Sequence, residues 1–346
     1  LIVVLRATAG PNEALRLRDW LSCAGFEVAT THDAGREVLV ASAIGEPQPD
    51  TVSRLRADPA VERVVPLERP YRLVARMARD TRTVLVGDVV FGGGEIVVMA
   101  GPCSVESEDQ ITAAARHVAR SGAKVLRGGA FKPSTSPYGF QGLGVTGLVL
   151  LRDAALESGL LTVSEVMDPR EVDIVARHVD ILQIGARSMQ NFDLLKEAGA
   201  SGMPVLLKRG MSARYEEWLL AAEYVALAGS ERIVLCERGI RTFEPTARNT
   251  LDVTAVPAVK SLSWLPVAVD PSHAAGRSDW VPALALAAVA AGADALLVEV
   301  HPRPSESVKD GVQALDPAAF DDLMANLRLI SRAVGRSVST VPETVS

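Results

Sequence analysis

Apolar and polar positions along this chain change rhythm near residue 96. Before that point strands and helices alternate in short pieces. LIVVLRA reads as a strand. PNEALRLRDWLSCAG carries apolar residues at helical spacing, with Asn12 as the expected N-cap before Glu13 and Gly25 as the stop signal. FEVATTHD and REVLVASAI follow as strands, DTVSRLRADP as a short helix and VERVVPL as a last strand. The order β-α-β-β-α-β is that of a small ferredoxin-like domain, expected over residues 1–70. Residues 71–95 then read as a basic linker, PYRLVARMARDTR, and a hairpin, TVLVGDVVFGGGEIVV, with VFGGG as its turn.

From residue 96 the pattern becomes apolar strand, loop, helix, repeated. The expected strands are IVVMAGP, KVLRGGA, LTVSEVM, ILQIGA, PVLLKRG, IVLCERG, PVAVDPS and ALLVEVH, separated by helical segments such as EDQITAAARHVARSG and YEEWLLAAEYVALAGS. Eight such units over about 240 residues have the size and rhythm of a (β/α)8 TIM barrel, expected over residues 96–338. A doubly wound open sheet would need fewer strands and an early G-x-G-x-x-G, which is absent. Each strand starts apolar and ends in reactive chemistry: GPC, RGG, SE, GAR, KRG, CERG, DPSH and EVH. A barrel points all these ends to one face, where its active sites are built. Core packing explains the apolar starts but not the charged ends.

Composition agrees with this class. Of 346 residues 48% are hydrophobic but only 4% aromatic, so Ala, Val and Leu must fill the core, as suits helices around buried parallel strands. The net charge of −6 argues against general nucleic-acid binding. Three widely spaced cysteines, Cys23, Cys103 and Cys236, suggest no disulfide framework and fit a reducing cytoplasm. LIVVLRATAG is too short and too soon charged for a signal peptide, and no apolar run approaches the roughly 20 residues that span a bilayer.

Two sets of residues carry candidate chemistry. Cys103, His273, Glu299 and His301 lie at expected strand ends, and Asp310 follows in the last loop. Thiolate, imidazole and carboxylate together suit Zn, Mn, Fe or Co. Taken singly, Cys103 reads as a buried structural thiol and His273 equally as a hydrogen-bonded core histidine or a ligand; taken together at one barrel face, they read as a metal site. The second set is cationic: Arg127, Lys132, Arg187, Lys208, Arg209, Arg238 and Arg241. Some can pair with Glu165, Glu237 or Glu299, but the cations exceed those partners. Guanidinium forks match phosphate and carboxylate, so a phosphorylated substrate is expected. Lys132 or Lys208 as an imine-forming nucleophile is the competing reading; that chemistry needs no metal.

These motifs converge on a family. AGPCSVES, LRGGAFKP with TSPYGFQGLG, QIGARSMQNFDLL, PVLLKRG, LCERGIRTFEPTARNTLD, VDPSHAAGR and VEVHPRPSESVKDG run in order through residues 99–311. The chain resembles the 3-deoxy-D-arabino-heptulosonate 7-phosphate (DAHP) synthases. In particular it looks like the type I beta subgroup, whose barrel carries an N-terminal ferredoxin-like regulatory domain. The resemblance implies a metal-dependent, aldol-type condensation of phosphoenolpyruvate with erythrose 4-phosphate at the start of the shikimate pathway. It implies Cys103, His273, Glu299 and Asp310 as ligands of a divalent metal, with His301 beside them but not a ligand. It implies Arg127, Lys132, Arg187, Lys208 and Arg238 around phosphoenolpyruvate, Lys132 also placed for proton transfer, and Glu165 near the attacking water. Thr135 and Ser136 would face a phosphate. An aromatic amino acid effector bound by paired N-terminal domains, and a homotetramer, are implied as well.

One departure stands out. The family pattern KPRTSP reads KPSTSP here, with Ser134 where the family's arginine binds the phosphate of erythrose 4-phosphate. Losing a charge-assisted contact of that kind costs roughly 1.5–3 kcal/mol. Another basic residue could compensate, the chain could accept a different aldehyde, or it could be an impaired variant; intact metal and phosphoenolpyruvate residues disfavour the last. A non-catalytic sensor that keeps the barrel is the remaining class.

Overall fold

The computed structural model describes residues 1–33, 36–43, 50–65, 70–76, 82–132 and 138–339. The chain forms two compact units, Leu1–Arg72 and Leu73–Ser346.

In the first unit, β1 (Ile2–Leu5), α1 (Pro11–Cys23), β2 (Phe26–Asp33), β3 (Arg36–Ala43), α2 (Thr51–Ala57) and β4 (Val61–Val65) follow one another. The strands form an antiparallel sheet in the order β2-β3-β1-β4, the ferredoxin-like arrangement. Val3, Leu5, Leu39 and Val64 of the sheet pack with Leu17, Leu21 and Leu55 of the helices. Helix α1 starts two residues earlier than Asn12 suggests. Gly10 is the N-cap, Pro11 takes the first helical position, and Glu13 Oε2 accepts the Gly10 N–H at 2.7 Å. Proline has no N–H to satisfy and its φ is preset for a helix, so the chain turns helical there.

The second unit opens with a hairpin of β5 (Val84–Val86) and β6 (Val89–Phe91). Its turn is Gly87–Asp88 rather than the expected VFGGG: Val86 pairs with Val89, leaving a two-residue loop led by Gly87 at φ 56°. Glycine at that position suits a type II′ turn, whose twist matches the strands. The glycines that follow lead instead into the barrel. At Gly92 a Cβ would fall 2.0 Å from the Arg82 carbonyl oxygen, so no side chain fits.

Eight parallel strands come next: β7 (Glu95–Gly101), β8 (Val125–Arg127), β9 (Leu161–Val166), β10 (Ile181–Ile184), β11 (Val205–Lys208), β12 (Ile233–Glu237), β13 (Val267–Val269) and β14 (Ala295–Glu299). They lie in chain order, and β14 pairs with β7 to close the barrel. Helices α3 (Glu108–Ser121), α4 (Val145–Ser158), α5 (Val172–Ala176), α6 (Phe192–Ala200), α7 (Tyr215–Ala228) and α8 (Ala255–Leu262) follow the first six strands. A short α9 (Pro271–Ala275) precedes α10 (Val281–Ala290) after β13, and α11 (Pro317–Ala333) follows β14. Caps set these boundaries: Ser107 Oγ accepts the Gln110 N–H at the start of α3, and Gly122 ends it at φ 105°. Among the described residues no helix is long and apolar enough to cross a membrane.

At the N-terminal ends of the strands, buried charge is matched within the chain. Asp294 accepts from Lys260 Nζ at 2.8 Å and the Val267 N–H at 2.9 Å, with Arg336 Nη1 at 3.3 Å. Asp180 accepts both the N–H and the hydroxyl of Thr162 at 2.8 Å.

Candidate active site at the C-terminal mouth of the barrel

The opposite end of the same strands is built differently. Arg127, Lys208 and Glu299 are the last residues of β8, β11 and β14, and Glu165 is the last but one of β9. Cys103 follows β7, His273 sits on α9, and Asp310 lies in the loop after β14. Cys103, His273, Glu299 and Asp310 each offer a ligand atom, all within 4.8 Å of one another. Cys103 Sγ lies 3.2 Å from Asp310 Oδ2, and His273 Nε2 lies 3.3 Å from Glu299 Oε1. His273 Nδ1 lies 2.7 Å from Asp270 Oδ2, so it carries the proton and leaves the lone pair on Nε2.

Electrostatics make this group a fit for a cation. Burial lowers the His273 pKa despite Asp270 and Glu299, which keeps the imidazole neutral. Its Nε2 lone pair then faces a carboxylate oxygen, two acceptors with no proton between them. Burial, helped by Glu299, pushes the Cys103 thiol up to about 12, so thiolate ligation needs a cation strong enough to displace the proton. Burial would raise the Asp310 carboxyl, but Arg248 leads the charges that hold it at about 2. Asp310 is also the only non-glycine among the described residues with positive φ, 56°. Aspartate tolerates that region better than most residues, and such strain concentrates at functional sites.

Beside this group opens a cavity of ≈ 290 Å³ lined by seven cationic side chains and two carboxylates, Glu165 and Asp310. Five of the cations are those singled out in the sequence. Arg127 Nη1 donates to Glu299 Oε1 at 2.8 Å and to the Pro102 carbonyl at 3.1 Å. Burial opposes its charge, yet Glu299 leaves its pKa above the ordinary guanidinium value. Lys132 Nζ donates to the Cys103 carbonyl at 3.0 Å, over Gly129, where a Cβ would come within 2.4 Å of Lys132 Cδ. Burial opposes the Lys132 charge too, but Cys103 and Glu165 raise its pKa, the opposite of what an imine-forming lysine needs. Lys208 is held by Asp270 at 2.5 Å. Arg187 has no carboxylate partner among the described residues. Arg238 Nη2 reaches the His273 carbonyl at 3.3 Å, while its buried Nη1 has no partner among the described residues. Burial lowers the Arg238 pKa, a cost that a bound anion would offset. Glu165 completes the wall; a Cβ on Gly185 would fall 2.0 Å from its Oε1.

Other expected residues go elsewhere. Arg209 turns out of the cavity to Glu237 at 2.9 Å and Asp252 at 2.8 Å, stacked on Tyr215. Arg241 is exposed and lines no part of the cavity. His301 stands outside the four-ligand group: its Nδ1 accepts the Arg303 N–H at 3.0 Å and its Nε2 faces Glu106 at 3.4 Å. Ser134, Thr135 and Ser136 lie outside the described residues. Two cations on the wall were not singled out in the sequence, Arg248 and Lys309. Arg248 Nη1 donates to Asp310 Oδ1 at 3.0 Å and to Gln313 Oε1 at 2.7 Å, and Gln313 Nε2 donates to Glu299 Oε2 at 2.8 Å. The only signal for Lys309 was its place beside Asp310 in SVKDG.

A mouth of this kind, cationic and beside a group fit to hold a metal, suits a barrel enzyme that acts on phosphorylated, anionic compounds. Residues 72–331 match the model of the DAHP synthetase I family. The chain is 46% identical over 306 residues to phospho-2-dehydro-3-deoxyheptonate aldolase of Thermotoga maritima, covering 88% of this chain and 90% of that protein. Identity to 2-dehydro-3-deoxyphosphooctonate aldolase of Syntrophotalea carbinolica is 34% over 252 residues, 67% of this chain and 90% of that one. The crystal structure of the Thermotoga DAHP synthase superposes with a TM-score of 0.80 at 42% identity, over 98% of this chain and 99% of that chain. The chain belongs to the DAHP synthetase I family.

Proposed function

We infer that this enzyme condenses phosphoenolpyruvate with erythrose 4-phosphate, giving DAHP and inorganic phosphate, the first step of the shikimate pathway. Family membership across the whole barrel carries the reading, supported by a pocket with more cations than carboxylates. Arg127, Lys132, Arg187, Lys208 and Arg238 hold the phosphate and carboxylate of phosphoenolpyruvate. The buried Arg238 Nη1, without a partner among the described residues, supports that role. Cys103, His273, Glu299 and Asp310 hold a divalent cation, Mn, Co, Zn or Fe. When bound it supplies Lewis-acid polarisation of the aldehyde oxygen. C3 of phosphoenolpyruvate forms the new bond to the aldehyde carbon, and the aldehyde oxygen takes a proton from Lys132 Nζ. Water adds at C2 with Glu165 receiving its proton, and the phosphate leaves. The fixed cations stabilise charge without reorganising as the reaction proceeds.

The test is phosphoenolpyruvate consumption with metal present against erythrose 4-phosphate, arabinose 5-phosphate, ribose 5-phosphate and unphosphorylated aldehydes. The highest kcat/KM is expected with erythrose 4-phosphate. A preference for a five-carbon phosphate would support the second reading, a paralogue with a different aldehyde, which Ser134 motivates. The lower identity to the phosphooctonate relative, 34% against 46%, favours the first.

The ferredoxin-like unit supports an allosteric role, with tyrosine or phenylalanine bound between paired units of a homotetramer. Inhibition by either amino acid tests the effector, and sedimentation tests the assembly. Three free cysteines support a cytoplasmic site of action.

A further inference from the structure

We propose that Lys309, with Arg248 beside it, binds the phosphate of the second substrate, supplying the charge that Ser134 does not. The proposal rests on the condensation proposed above. Arg187 follows β10, the fourth barrel strand, and Lys309 follows β14, the eighth. In a closed eight-stranded barrel the fourth and eighth strands are diametrically opposed. Lys309 therefore stands across the cavity from Arg187. Arg187 and Arg238 follow the fourth and sixth strands, Lys208 ends the fifth, and Arg127 ends the second with Lys132 in the loop behind it. Lys309 lies on the other side, together with the four-ligand group from the first, seventh and eighth strands.

An aldehyde that reacts beside that group must place its phosphate within one short carbon chain of it. Lys309 is adjacent to Asp310 and lines the same cavity. Its Nζ donates to the carbonyl of Phe140 at 3.3 Å, a neutral partner that leaves its charge unmatched, and no carboxylate pairs with it among the described residues. Its backbone is held in place. Ser307 Oγ donates to the Lys309 carbonyl at 2.8 Å, and the Val308 N–H donates to Glu106 Oε1 at 3.2 Å. Arg248, from the loop after the sixth strand, reaches Asp310 and Gln313 beside Lys309 and is already engaged by them, so Lys309 is the cation there with charge to spare. Phe140 also ties the Lys309 ammonium to the segment that follows residues 133–137, the stretch that contains Ser134.

Lys309→Met and Lys309→Arg should be compared with wild type, each with Mn²⁺ and saturating phosphoenolpyruvate. Lys309→Met should raise the KM for erythrose 4-phosphate roughly ten- to a hundredfold, while the KM for phosphoenolpyruvate changes less than about twofold. Unphosphorylated erythrose should be used equally well by both proteins, and Lys309→Arg should keep near wild-type KM. Binding without turnover gives a second readout: titration calorimetry with glycerol 3-phosphate should show weaker binding to Lys309→Met. An unchanged KM for erythrose 4-phosphate, or equal losses for erythrose and its phosphate, would overturn the proposal. Wild-type enzyme inactive with erythrose 4-phosphate but active with another aldose phosphate would overturn the assigned substrate instead; the same KM split would then be sought with that sugar.

Discussion

The two ends of this barrel use the same residue types for opposite ends. At the N-terminal end Asp294 is buried with Lys260, Arg336 and a backbone N–H, so this buried carboxylate and its two cations are matched. At the C-terminal end the cations outnumber their carboxylates, and a buried guanidinium nitrogen of Arg238 has no partner among the described residues. A buried charge without a partner is costly, so it persists where something else repays it, which under the proposed function is the phosphoenolpyruvate anion. Adjacent arginines repeat the lesson within one site. Arg209 is satisfied by Glu237 and Asp252, whereas Arg238, at the end of the next strand, is not.

The largest effect that could break this contrast is loss of the divalent cation proposed for the four-ligand group. Chelation, or Cys103→Ala, should lower kcat about a thousandfold or more. Far-ultraviolet circular dichroism should stay native; unfolding on chelation would make the four-ligand group a structural element. Next in size is Asp294→Asn. It should cost about 3 kcal/mol in urea denaturation, because it strips Lys260 and Arg336 of their shared carboxylate, and leave the KM for phosphoenolpyruvate within about twofold. A smaller effect separates the two arginines. Arg238→Met should raise the KM for phosphoenolpyruvate about ten- to a hundredfold with unchanged or higher stability, since it removes an unsatisfied donor. Arg209→Met should do the reverse, lowering stability by leaving the buried Glu237 with no cation and only the Gly239 N–H as a donor. If both variants act alike, pairing does not divide structural from binding cations. The smallest effect is expected on the barrel's outer surface. Glu157→Ala, which breaks an exposed pair with Arg116, should change stability by less than about 0.5 kcal/mol.

How much of this was legible in the sequence follows the range of each interaction. The eight strands were visible because buried parallel strands need continuous apolar runs, and the register of one does not depend on the others for that. The βαββαβ order of the first unit was visible for the same reason. Turn and cap positions were less so: Asn12 and VFGGG carry good local signals, but Pro11 and the Val86–Val89 pairing settled the helix start and the turn elsewhere. The cations were visible as types at strand ends, but their directions were not. Arg209 and Arg241 leave the cavity while Arg248 and Lys309, from loops far along the chain, enter it.

By itself, then, the sequence determined the class of fold and the kind of chemistry at the mouth: strand ends rich in arginine, lysine, cysteine, histidine and acid, in an order that matches one family. Periodicity and side-chain type are local properties, and they survive without coordinates. Only the tertiary structure decided which charges are neutralised, because neutralisation depends on distances of a few ångströms between residues such as Arg127 and Glu299, 172 positions apart. It is that accounting, more than the inventory of residues, that separates the charges holding the barrel together from those free to hold a substrate.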